Sequence, residues 1–149
     1  MTVILRHEKI KKIISLDKSL IPIIENAFVS LSEGKAITPP IMRLDIPEFH
    51  GEADVKTAYI KGLDSFAIKI ALGYFNNPSL GLPTSNGLMV LFNSETGFLK
   101  AVLLDQGYLT DIRTAIAGAI ASKHLSNFEV FNVGIIGSGM QSQLQLQAL

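Results

Sequence analysis

Beyond Asp17 the apolar residues fall at helical spacing: Leu20, Ile24, Ala27, Phe28 and Leu31 follow the offsets i, i+4, i+7, i+8 and i+11. This predicts a helix that runs to about Ser32, buries one face and takes Asp17 as its cap. Ile10, Ile13 and Ile14 repeat the pattern in a shorter helix ahead of it. After Gly34 and Pro39-Pro40 the period drops to two, with Met42, Leu44 and Ile46 alternating against Ile41, Arg43 and Asp45, as in a half-buried strand. Further strands are predicted around 55–60, 66–72, 87–92 and 98–104. Residues 73–86 hold Asn76, Asn77, Pro78, Gly81, Pro83 and Asn86, too many turn formers for regular structure, and are expected to be a loop. A last long helix is predicted from Thr110, as its N-cap, to about Leu125, with Ile112, Ala115, Ile116, Ala119, Ile120 and Ala121 as a small-residue apolar face.

The pattern then changes. An apolar run, Val130 to Ile136, leads directly into Gly137-Ser138-Gly139-Met140-Gln141-Ser142 and a helix-compatible tail. Strand, glycine turn and helix in that order are the opening of a dinucleotide-binding unit, with Gly137 for the tight turn and Gly139 for close approach of a pyrophosphate to the helix N-terminus. Ser142 stands where a third glycine or an alanine is usual; the alternative is an ordinary strand-to-helix turn. The expected class is α/β: an α+β domain over residues 1–127 followed, over 128–149, by the first strand, turn and helix of a Rossmann domain. Such a unit needs a second parallel strand and an acidic residue about 20 positions beyond its glycines to hold a ribose. The chain is therefore expected to be the front part of a longer enzyme. Alone it should be inactive and prone to self-association through a strand that is apolar on both faces.

Composition narrows the partners. The 13 basic and 13 acidic side chains cancel, which gives no electrostatic footprint for nucleic acid or an anionic membrane and favours a small neutral or zwitterionic ligand. The absence of cysteine excludes disulfides, a thiolate nucleophile and cysteine-ligated zinc, and makes a cytoplasmic setting the default. His7 and His124 lack clustered partners, so no metal site is expected. The charged N-terminus is not a signal peptide, and no run approaches the ~18 apolar residues of a membrane span.

Three cations stand out. Arg113 falls in the first turn of the helix that begins at Thr110, where the macrodipole disfavours a positive charge; it either serves an anion or is a solvated arginine paired with Asp111. Lys69 shares its strand face with Ala67 and Ala71, which leaves space around the ammonium group, as on a pocket floor or an outer strand face. Arg43, beside Asp45 on its strand, carries the same two readings, a pocket cation or a surface ion pair with that aspartate. His50-Gly51-Glu52 reads as a polar turn, solvated or with Glu52 near a substrate amine.

The segments Ala67 to Leu82 (AIKIALGYFNNPSLGL), Leu104 to Ala115 (LDQGYLTDIRTA) and Gly134 to Gln141 (GIIGSGMQ) together resemble the ornithine cyclodeaminase and mu-crystallin family. The resemblance extends over the whole chain. It implies a homodimeric, two-domain, NAD- or NADP-dependent enzyme acting on a small amino or imino acid, by oxidation with ammonia release or by imine reduction. It implies that Arg43, Lys69 and Arg113 surround the substrate carboxylate, with Lys69 also catalytic, and that Thr114, Gly137, Gly139, Met140 and Gln141 line the cofactor side. His50-Gly51-Glu52, the stretch Val55 to Ile60 and Gly87 to Met89 look like a branch with imine reductases and ectoine-utilisation proteins. The alternative is a mu-crystallin-like binder of ligand and nucleotide with little turnover.

Overall fold

The computed structural model describes residues 2–127 and 129–149. Its frame is a mixed sheet of seven strands: β1 (Val3–Arg6), β2 (Ala36–Ile37), β3 (Met42–Ile46), β4 (Gly51–Ile60), β5 (Ser65–Tyr74), β6 (Ser85–Asn93) and β7 (Leu99–Leu104), in the order β1-β7-β6-β5-β4-β2. β3 joins the same edge of β4 as β2, pairing Met42 with Val55 through Ile46 with Gly51, while β2 pairs at the far end of β4. All pairings are antiparallel except that of β1 with β7. The strands from β4 to β7 follow one another in sequence and lie side by side, the expected result of short connections between neighbouring strands.

Among the described residues there are four α-helices: α1 (His7–Ile13), α2 (Leu20–Ser32), α3 (Tyr108–Leu125) and α4 (Met140–Ala148). The sealed core lies between helices. Ile112, Ile116 and Ile120 of α3 form a buried row against which Ile14, Leu16, Leu20, Ile21, Ile24 and Tyr108 pack. Ala115 and Ala119 are also buried, whereas Ala121 faces solvent. The helical stripe of α2 is only partly used: Leu20 and Ile24 reach the core, while Phe28 and Leu31 stay exposed. Asp17 is not the cap of α2, whose N-cap is Ser19; its Oδ1 instead accepts from the Ser19 N–H at 2.8 Å just ahead of the helix, which lowers its pKa.

Several boundaries differ from the sequence-based expectation, each for a physical reason. β1 has no alternation to announce it; four residues form a strand because an edge of β7 is available to pair with them. β4 starts at Gly51, so His50-Gly51-Glu52 is not one polar turn. His50 takes the left-handed conformation (φ 47°) that ends the helical turn Pro47–Phe49, and Gly51 and Glu52 are already in the ladder. Gly51 permits this: a Cβ there would sit 2.7 Å from the Tyr74 ring. The expected loop at 73–86 is shorter, since β5 continues to Tyr74, β6 resumes at Ser85 and Asn77–Leu80 forms a turn of 3-10 helix.

α3 begins at Tyr108 rather than at Thr110. Gly107 adopts φ 88° ahead of it, and the Asp105 carboxylate reaches forward to accept from the Leu109 N–H at 2.9 Å, so the orphan donors are met upstream of Thr110. Arg113 accordingly lies in the second turn, and the macrodipole argument loses its force. Residues 129–138 form no strand, and Phe131 and Ile136 are fully open to solvent. Backbone donors and acceptors form a strand only against a ladder partner, and none pairs with this run among the described residues. Phe128 lies outside the described residues.

Truncating the most central core side chain gives a direct check. Ile116→Ala should lower unfolding free energy by about 2–5 kcal/mol in a denaturant titration. A loss below about 1 kcal/mol would show that the α3 row is not the core on which the fold rests.

Candidate active site

Pairing across the sheet sets charged groups in rows. Arg43 stands opposite Asp54, Asp54 opposite Ala71, and Ala71 opposite Gly87; one step along, Lys56 stands opposite Lys69, and Lys69 opposite Met89. Residues directly opposed lie on one face, so Glu52, Asp54, Lys56, Lys69 and Ala71 share the face toward which α3 begins. Gly87 has no room for a side chain, because a Cβ would meet the Ile70 carbonyl oxygen at 2.5 Å. Between this face and the start of α3 is a cavity of about 240 Å³ that both Lys69 and Arg113 line, together with Asp54, Lys56 and Asp111.

The charges in the cavity are not equivalent. Asp54 is tied to Lys56 at 2.8 Å, which lowers its pKa, and its Oδ1 is buried without a hydrogen-bond partner. Glu52 is held by Arg43 at 2.5 Å, and Arg43 also bonds Asp45 at 2.9 Å. Arg43 thus stands behind Glu52 and is not among the residues lining the cavity. Lys69 and Arg113 form no ion pair among the described residues. Burial pushes the Lys69 ammonium below its ordinary pKa, and the neighbouring charges of Arg113 and Lys56 push it in the same direction; Asp105 and Asp54 act against them. An anion bound between Lys69 and Arg113 would relieve that repulsion.

A second, larger cavity of about 970 Å³ adjoins the first and shares Thr84, Ser85, Asn86 and Asp111 with it. Gly139, Met140 and Gln141 line it. Gly137 has φ 109°, a conformation that favours glycine, and nothing lies within 4 Å of where a Cβ on Gly139 would be. That open space beside the first amides of α4 fits a pyrophosphate. Thr114 lines neither cavity; its hydroxyl donates to the Thr110 carbonyl at 2.7 Å.

Asp54, Lys56 and Asp105 escaped the sequence reading. Glu52, Asp54 and Lys56 alternate in charge-bearing positions of one strand face, a signal that is visible only once β4 is known to begin at Gly51. Asp105 is 1% exposed, and its signal was an aspartate two residues ahead of a glycine, an Asx-type cap.

The family model described as "Ornithine cyclodeaminase/mu-crystallin family" matches residues 1–149. An uncharacterized cyclodeaminase of Sinorhizobium fredii is 52% identical over 147 residues, covering 98% of this chain and 44% of the relative. Among solved structures, an archaeal alanine dehydrogenase dimer with bound NAD is similar at TM-score 0.89 and 35% identity, over 99% of this chain and 44% of that one. The Delta(1)-pyrroline-2-carboxylate reductase of Thermococcus litoralis, in complex with NADH and L-proline, is similar at TM-score 0.91 and 30% identity, over 99% and 45%. The chain thus spans less than half the length of these relatives, which match 98–99% of it. It belongs to the ornithine cyclodeaminase/mu-crystallin family.

Proposed function

We propose that residues 1–127 form the substrate-binding and dimer-forming domain, and residues 128–149 the opening strand, turn and helix of the nucleotide-binding domain, of a nicotinamide-dependent enzyme acting on a small amino acid or its imine. The observation that carries this reading is the pair of unpaired cations, Lys69 and Arg113, in a cavity that adjoins the one lined by the glycine turn. A carboxylate lying between them would be held at one end, with its carbon chain directed toward the shared wall of Thr84, Ser85 and Asn86. The bound nicotinamide supplies or accepts the hydride. Lys69, being depressed in pKa, is able to hold or release a proton near the reacting carbon under milder conditions than an ordinary lysine.

Both directions belong to the proposed activity, oxidation of an amino acid with ammonia release and imine reduction, since the proteins similar to this chain include an uncharacterized cyclodeaminase, an alanine dehydrogenase and a pyrroline-2-carboxylate reductase. NAD and NADP both remain compatible, because the residue that would read the ribose lies about 20 positions beyond the glycines. Ligand binding without turnover is separated from enzymatic activity by assaying the full-length protein for NADH oxidation with cyclic ketimines and for ammonia release from ornithine.

Two sets of variants test the reading in the full-length protein. Lys69→Ala and Arg113→Ala should each lower kcat/KM by the equivalent of about 2–5 kcal/mol while circular dichroism stays unchanged. The wild-type profile of kcat/KM should fall with rising pH through a group below the ordinary lysine range, because the depressed ammonium loses its charge early. Lys69→Arg should abolish that limb. Wild-type turnover in both alanine variants would remove the carboxylate assignment. Gly139→Val, for which the free protein has room, should leave the fold intact and abolish NADH binding in a fluorescence titration; unchanged affinity would sink the phosphate-turn reading.

A further inference from the structure

Asp111 is the one acidic side chain that lines both cavities among the described residues. Its Oδ1 accepts from Gln141 Nε2 at 3.1 Å, and its backbone carbonyl accepts from the same nitrogen at 3.3 Å. Asp111 lies two residues ahead of Arg113 on α3, and Gln141 lies two beyond Gly139 in the first turn of α4. Further along, a Cβ on Gly118 would come within 2.8 Å of Gln145 Oε1, so α3 and α4 run side by side in the same direction. The Asp111 bonds therefore fix the end of α4 that carries the glycine turn.

The chemistry of the pair is a poor way merely to glue two helices. Gln141 Oε1 is buried without a partner, and burial together with the charge of Asp105 opposes ionisation of Asp111 while the Gln141 amide favours it. An apolar pair would join the helices without those penalties. What the polar pair adds is a defined position for the turn relative to the cations.

We propose that Asp111 is a positioning residue: through Gln141 it holds the glycine turn at the mouth of the carboxylate cavity, so that a dinucleotide on the turn and a carboxylate on Lys69 and Arg113 meet in register. The proposal rests on the functional reading above, and neither Asp111 nor its bond need touch the nucleotide.

The test is an NADH titration of the full-length protein followed by fluorescence, with Asp111→Leu, Gln141→Leu, the double variant and Asp111→Asn. Each leucine variant should raise the NADH Kd about tenfold, and the double variant no further than the worse of the two, because both remove the same bond. Asp111→Asn should stay within about threefold of wild type, since its amide oxygen still accepts from Gln141. Additive losses, an asparagine variant as weak as leucine, or leucine variants with wild-type Kd would overturn the positioning role and leave the functional reading standing. A folded wild-type protein that does not bind NADH would overturn that reading and this proposal with it.

Discussion

The arrangement of the site depends on the corner between β7 and α3, and that corner depends on Asp105. Its carboxylate caps the Leu109 N–H at 2.9 Å, and its carbonyl accepts from Tyr108 N–H at 3.1 Å and from His7 Nδ1 at 2.8 Å. A carbonyl only accepts, so His7 carries its proton on Nδ1. The next residue, Gln106, donates its N–H to the Gly87 carbonyl at 3.1 Å, which ties the corner to β6 as well. α1, β6, β7 and α3 thus converge on one buried aspartate and its neighbour. The direction in which α3 leaves the sheet follows from these bonds, and with it the location of Arg113 above Lys69.

That placement explains how a chain with no net charge holds an electropositive point. Within the cavity Glu52 is paired with Arg43, Asp54 with Lys56, and Asp111 accepts from Gln141, so none of these acids forms an ion pair with Lys69 or Arg113 among the described residues. Two cations are left facing a half-buried space, and burial disfavours the charge on Lys69. Asp105, which does not line the cavity, and Asp54, which does, offset part of that cost by favouring the Lys69 ammonium. One carboxylate therefore shapes the start of the helix and supports the charge on the strand that faces it.

Element type was legible in the sequence wherever one face is buried. The helical period of Ile112, Ala115, Ile116, Ala119 and Ile120 survives in the structure because all five are buried. Lys69 between two alanines was equally legible, since strand alternation is a local property. The rest depended on pairing. β1 exists because β7 offers an edge, and the early start of β4 exists because Gly51 fits beneath Tyr74, neither of which a local pattern encodes. The start of α3 was misplaced for a related reason: Thr110 is a good cap by residue type, but a buried aspartate five positions upstream had already met the helix's free donors. Arg43 was legible as a cation beside Asp45; that Glu52 would claim it as well required knowledge of the β3–β4 register.

The run from Val130 to Ile136 shows the same distinction most sharply. Its residues have the composition of a strand covered on both faces, yet in the structure they are irregular and Ile136 is fully exposed. α4, by contrast, forms and docks on α3, because a helix satisfies its own backbone groups and needs only a surface to lie against. The surface is supplied by α3, where Gly118 leaves room for Gln145 and Asp111 receives Gln141. The glycine turn is therefore located by the helix that follows it rather than by the strand that precedes it. The glycine turn is thereby anchored, through Gln141 and Asp111, to the helix that carries Arg113.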